Sequence, residues 1–188
     1  MRPARRLFAA IDLPEAEHDH LASYVGQARL DPKVVRLADP EQWHITLAFY
    51  GDVREAESSE LISRLGRVAE RTPSFSIQLH RAGAFPANPR RAKVLWAGVD
   101  GDVETARRLA DRCRAAGRRC GLTMPRERFH PHVTLARARG GTANVDRPLA
   151  HLWQFQGQSW RVSSFRLVHS TLGATVRHET VADFSLLD

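Results

Sequence analysis

The sequence predicts an α+β fold of duplicated, bilobal architecture: two antiparallel-type sheets facing each other across a central groove, helices outside, and a pseudo-two-fold axis relating the lobes. Three observations predict it. The pattern His-x-Thr-x occurs twice, as His44-Ile45-Thr46-Leu47 and His132-Val133-Thr134-Leu135, 88 positions apart in a chain of 188. The same shift carries Leu7-Phe8-Ala9-Ala10-Ile11-Asp12 onto Leu95-Trp96-Ala97-Gly98-Val99-Asp100, and Phe75-Ser76-Ile77-Gln78-Leu79 onto Ser163-Ser164-Phe165-Arg166-Leu167, without a gap. Finally, strand patterns alternate with helical ones in both halves, which suits layers of helix on sheet.

Taken in order, residues 7–12 read as a strand and 14–29 as a helix, with Pro14 in the tolerated first turn. In each His-x-Thr segment apolar and polar residues alternate. His44 and Thr46 therefore project from one face and Ile45 and Leu47 from the other, as do His132/Thr134 and Val133/Leu135. Residues 55–71 and 103–119 carry apolar side chains at three-to-four spacing and read as helices, the latter followed by Gly121. Pro86, Pro89 and Arg90-Arg91 predict an irregular loop between the halves, bordering the groove. Residues 148–155 suggest a short helix, and the runs 159–171 and 175–186 a terminal hairpin about Gly173-Ala174. The chain is expected to be a single domain, 1–188, with repeat halves 1–88 and 89–188.

Hydrophobic content of 43% supports a packed core, and no apolar run approaches the roughly 20 residues a membrane helix needs. The basic start is interrupted by Asp12 and Pro14-Glu15 before a signal peptide could develop, so a cytoplasmic protein without membrane association is expected. Net charge is +7, and Lys33 and Lys93 are the only lysines. Arginine suits bidentate phosphate contacts, which permits an RNA or nucleotide partner without demonstrating one. Cys113 and Cys120 have neither redox-pair nor zinc spacing and read as free thiols.

Two histidines with ordinary pKa values of about 6.5 can be held one neutral and one protonated, giving a general base and a general acid. This suits in-line displacement at phosphorus, with the threonine hydroxyls donating to the non-bridging oxygens. The scheme calls for no metal and no other cofactor. Metal binding is the obvious competitor, but Pro131 separates His130 from His132, and neither an HExxH motif nor a zinc-type Cys/His cluster occurs. P-loop and dinucleotide-binding motifs are absent as well. His18, His20, His151 and His178 read as surface residues, whereas His80 and His169, near strand ends, could reach the groove.

The segments Arg6-Leu7-Phe8-Ala9-Ala10-Ile11, Trp43-His44-Ile45-Thr46-Leu47-Ala48-Phe49-Tyr50-Gly51-Asp52-Val53, Gly83-Ala84-Phe85-Pro86, Val94-Leu95-Trp96-Ala97-Gly98-Val99 and Phe129-His130-Pro131-His132-Val133-Thr134-Leu135-Ala136-Arg137 occur in family order. In these the chain resembles the two-histidine (2H) phosphoesterase superfamily, and within it the bacterial and archaeal RNA 2′,3′-cyclic phosphodiesterases, also called 2′-5′ RNA ligases. Tyr50 stands where many relatives have Leu. The resemblance implies metal-independent hydrolysis of an RNA-terminal 2′,3′-cyclic phosphate to a 2′-phosphate. It implies His44 as general acid and His132 as general base, two roles that equivalent imidazoles can exchange. Thr46 and Thr134 would hold the phosphate, Arg137 would bind phosphate or an adjacent nucleotide, and Phe49 would stack on a base unless it belongs to the core. The partners implied are RNA or nucleotides with 2′,3′-cyclic phosphate ends, met by a monomer. Two alternatives stand beside this: 2′-5′ ligation of such an end to a 5′-hydroxyl, and an RNA- or nucleotide-binding module without turnover.

Overall fold

Each His-x-Thr segment opens a strand, and the two strands meet at the centre of the molecule. The structure, a computed structural model, describes residues 4–125, 128–171, 173 and 176–188. Its elements are β1 (Arg5–Asp12), α1 (Glu15–Gln27), β2 (Val35–Leu37), β3 (His44–Val53), α2 (Glu55–Ala69), β4 (Phe75–Phe85), β5 (Val94–Gly101), α3 (Val103–Arg119), β6 (His132–Ala138), α4 (Asp146–Leu152), β7 (Trp160–Val162), β8 (Ser164–Thr171) and β9 (Arg177–Ser185). The strands form one strongly curled sheet in the order β7-β4-β5-β6-β3-β1-β8-β9, with β2 added beside β6.

That order is the repeat made visible. A shift of 88 turns β1 into β5, β3 into β6 and β4 into β8, so the run β4-β5-β6-β3-β1-β8 reads as its own equivalent from either end. The pseudo-two-fold passes between β3 and β6, whose ladder pairs Ile45 with its own repeat counterpart Val133. The two half-sheets are thus hydrogen-bonded into one at their junction. Each lobe takes an outer strand from the other half of the sequence: β8 pairs with β1, and β4 with β5.

Helices follow from apolar spacing. Leu21 and Val25 are the buried apolar pair of α1, four apart; Leu61, Leu65 and Ala69 do the same for α2; and α3 buries Ala106, Leu109, Ala110, Cys113, Ala116 and Gly117. Each fully buried leucine contributes about 1.5–3 kcal/mol by leaving water. α3 packs on β3 where Tyr50 donates its hydroxyl to the Cys113 carbonyl at 3.2 Å. Gly117 leaves room for the Tyr50 ring, since a Cβ there would meet ring atoms at 2.9 Å. Cys113 and Cys120 are free and buried. Among the described residues no helix is long and apolar enough to cross a membrane.

Some elements differ from expectation. The run 159–171 divides at Ser163, because β7 joins β4 at one end of the sheet whereas β8 lies between β1 and β9 near the other. Curling brings those ends together, and Pro73 pairs with Leu187. The short helix begins at Asp146 and ends at Leu152, ahead of the expected 148–155. Residues Ala174 and Thr175 of the expected hairpin turn lie outside the described residues, and β9 starts at Arg177. The loop at Pro86, Pro89, Arg90 and Arg91 is not part of the groove lining; Arg90 pairs instead with Asp146 at 2.9 Å.

Candidate active site

A groove of about 690 Å³ lies over the junction of β3 and β6, and His44, Thr46, His132 and Thr134 all line it. The two histidines are held in the same way. His44 Nδ1 lies 2.7 Å from the Gln42 carbonyl oxygen, and His132 Nδ1 lies 2.7 Å from that of His130. A carbonyl can only accept, so both Nδ1 atoms carry hydrogen, and Nε2 is the atom free to exchange a proton. Gln42 and His130 are themselves 88 apart, as are the aromatic neighbours. Phe8 on β1 packs on His44 with ring centroids 4.7 Å apart, and Trp96 on β5 flanks His132 at 6.1 Å.

Burial takes water from both imidazoles and disfavours their charged forms. His44 is pushed down to about 4, chiefly by desolvation, which outweighs its bond to Gln42, with His178, Arg166 and His132 as repelling charges. His132 is lowered in the same direction, again first by desolvation. Both are therefore neutral at pH 7 in the free protein. Neutral His44 Nε2 accepts the Thr46 hydroxyl at 3.1 Å. Among the described residues, three arginines, Arg6, Arg36 and Arg137, line the groove against one carboxylate, Asp39. This balance favours an anion.

Phe49 and Arg137 reach the groove through bulges. In β3 the register passes from Ala9–Ala48 to Ala10–Thr46, skipping Leu47; in β6 it passes from Leu95–Ala136 to Trp96–Thr134, skipping Leu135. Each bulge turns the following residues over, and Phe49 and Arg137, another pair 88 apart, end on the histidine side. Phe49 packs with Phe8, Ala10 and Val168, and the Arg6 guanidinium lies 4.7 Å from its ring centroid. It is both part of a small apolar cluster and part of the groove wall.

The family follows from this ordered set of residues. The pattern of the family described as the 2′-5′ RNA ligase superfamily matches residues 14–174. The chain belongs to that superfamily. An RNA 2′,3′-cyclic phosphodiesterase of Aeropyrum pernix is 36% identical over 140 residues, covering 73% of this chain and 78% of the relative. One of Methanothermobacter thermautotrophicus is 31% identical over 170 residues, covering 89% and 90%. Among solved structures, the 2H phosphoesterase fold recurs in Escherichia coli LigT bound to 3′-AMP, with TM-score 0.82 and 25% identity over 100% of both chains. A Thermus thermophilus protein gives 0.79 and 27% over 96% of this chain and 97% of that one.

Within this 2H site, several polar residues were not singled out from the sequence. His178, expected at the surface, lines the groove from β9, its ring 5.4 Å from His44 and 5.0 Å from Phe8. Its pKa is lowered, first by burial, and Nδ1 is buried without a hydrogen-bond partner among the described residues. Gln42 both receives His44 Nδ1 and donates its side-chain amide to the Val176 carbonyl, tying the β8–β9 hairpin to the site. Arg36 stands opposite Arg137 across the β2–β6 ladder. Ser170, opposite His178 across the β8–β9 ladder, and Asp39 also line the groove. His80 and His169, whose positions in the sequence would have allowed them to reach the groove, do not line it: His80 sits inside β4, and His169 lies 3.9 Å from Glu179. The repeat alone could have found Gln42, the counterpart of His130. Among the described residues no group of three or more His, Cys, Asp or Glu is arranged to hold a metal ion.

Proposed function

We propose that the protein hydrolyses terminal 2′,3′-cyclic phosphates of RNA to 2′-phosphates with His44 and His132 as the acid–base pair. The observation that carries this reading is the matched tethering of the two imidazoles, each with Nδ1 fixed on a carbonyl and both facing one arginine-lined groove. The relatives from Aeropyrum and Methanothermobacter that bear the name RNA 2′,3′-cyclic phosphodiesterase support the substrate class.

In this mechanism the anionic cyclic phosphate enters between the lobes and raises the proton affinity of both histidines. Protonated His44 releases the Thr46 hydroxyl, which turns with Thr134 and Arg137 to the non-bridging oxygens. His132 Nε2 takes a proton from water as its oxygen bonds to phosphorus. The P–O3′ bond breaks, and His44 Nε2 gives its proton to O3′. The 2′-phosphate and a 3′-hydroxyl leave, and proton exchange with solvent restores the pair. The proton affinity of His44, lowered to about 4, makes it a strong acid once protonated, which fits its role. No step is assigned to a metal or other cofactor. Phe49 offers an apolar surface for a base on the same wall. Both histidines and both threonines come from one chain, so a monomer suffices, and we place its action on RNA in the cytoplasm.

His44→Ala and His132→Ala should each reduce turnover of an oligoribonucleotide ending in a cyclic phosphate by about 10²–10⁴-fold, with circular dichroism unchanged. Wild-type turnover by either variant would overturn the two-histidine mechanism.

A further inference from the structure

A second cavity, of about 270 Å³, opens beside the catalytic groove. Ala22, Val25 and Gly26 of α1 form one wall, and Leu37, Ala38 and Trp43 form the other. Those last three also line the main groove, so the two spaces share a wall. Trp43 immediately precedes His44 in sequence, which places the cavity within one residue of the reacting histidine. Its lining is apolar apart from Arg29, just beyond the end of α1. Leu37, half of whose surface is exposed, forms part of the shared wall.

The approach to this cavity is cationic. Arg36 and Arg137 are direct cross-strand partners, and like charges so placed are unfavourable until anions lie between or beside them. Two guanidiniums on neighbouring strands suit a ligand that carries more than one phosphate. Single-stranded RNA is held by this combination of a basic track and apolar or aromatic surfaces that receive unstacked bases.

We infer that the cavity between α1 and β2 is a subsite for the nucleobase of the penultimate nucleotide, with Arg36 holding the phosphodiester that joins it to the terminal one. The inference rests on the cyclic phosphodiesterase reading and narrows it: the preferred substrate is an oligonucleotide rather than a mononucleotide. An apolar peptide could fit such a cavity, but the wall shared with the arginine-lined groove favours RNA.

The test uses three substrates: a 2′,3′-cyclic mononucleotide, a dinucleotide ending in a cyclic phosphate, and the same dinucleotide with an abasic penultimate sugar. With wild-type protein the intact dinucleotide should exceed the abasic one by about tenfold in kcat/KM. Gly26→Phe should abolish that ratio and leave mononucleotide hydrolysis unchanged, because a Cβ at Gly26 meets nothing within 4 Å and the ring would fill the cavity. Equal rates for intact and abasic dinucleotides with wild-type protein would overturn the subsite, as would a ratio that survives Gly26→Phe. Failure to hydrolyse any of the three would instead overturn the phosphodiesterase reading itself.

Discussion

Raising the pH through neutrality should depress kcat/KM steeply, because that parameter reports the free protein, in which both histidines are hard to protonate. With His44 at about 4, giving it a proton at pH 7 costs about 4 kcal/mol, three units at about 1.4 kcal/mol each, and about one molecule in a thousand carries it. His132 also titrates below its ordinary 6.5. In the proposed mechanism turnover needs one imidazole protonated and the other neutral. Above the higher of the two pKa values, each further pH unit therefore removes about nine-tenths of the competent form; below the lower one, the base is lost. The kcat/KM profile should be a bell with its acid limb near 4 and its alkaline limb below 6.5. The kcat profile should lie higher by about 1–3 units, since a bound phosphate anion favours the imidazolium form. Initial rates with a labelled cyclic-phosphate oligoribonucleotide, measured well below KM across the pH range, give the first profile and saturating rates the second. His178→Gln removes a repelling charge from His44 and should move the acid limb upward. An alkaline limb of kcat/KM above pH 7 would refute the burial argument.

Arg137→Ala should lower kcat/KM by about 10- to 100-fold, corresponding to the loss of a charge-assisted hydrogen bond of about 1.5–3 kcal/mol; steady-state kinetics that match wild type would remove Arg137 from phosphate binding. Gly117→Ala places a Cβ 2.6 Å from Met124 Sδ and 2.9 Å from the Tyr50 ring, and should destabilise the fold by about 1–3 kcal/mol in urea titrations. Adding Tyr50→Leu should recover part of that loss, and strictly additive effects would show that the ring is not the obstacle.

The repeat made the centre of the molecule legible. An offset shared by His44/His132, Phe8/Trp96 and Ile77/Phe165 specifies which strands are equivalent, and equivalence about a two-fold axis brings β3 and β6 together. Alternation put His44, Thr46, His132 and Thr134 on one face because they precede the bulges. Strict alternation would have sent Phe49 and Arg137 to the opposite face; the sequence trace of the bulges is only a pair of adjacent buried residues, Leu47-Ala48 and Leu135-Ala136. His178 and Arg36 were illegible for another reason. They reach the groove through strand pairings fixed by the tertiary fold, β9 on β8 and the three-residue β2 on β6, and neither carries a local signal of which neighbour it will have. The passage from β7 to β8 was hidden likewise, since only curling of the sheet brings its two ends close enough for one residue, Ser163, to connect them.

The most direct measurement is the position of phosphate in the product formed from a 2′,3′-cyclic-phosphate RNA end in the presence of a strong chelator, read by phosphorus NMR. Hydrolysis by His44 and His132 in the assigned roles gives a 2′-phosphate with a free 3′-hydroxyl, and the signal disappears with His44→Ala or His132→Ala. A 3′-phosphate, or turnover that survives loss of either imidazole, would contradict it.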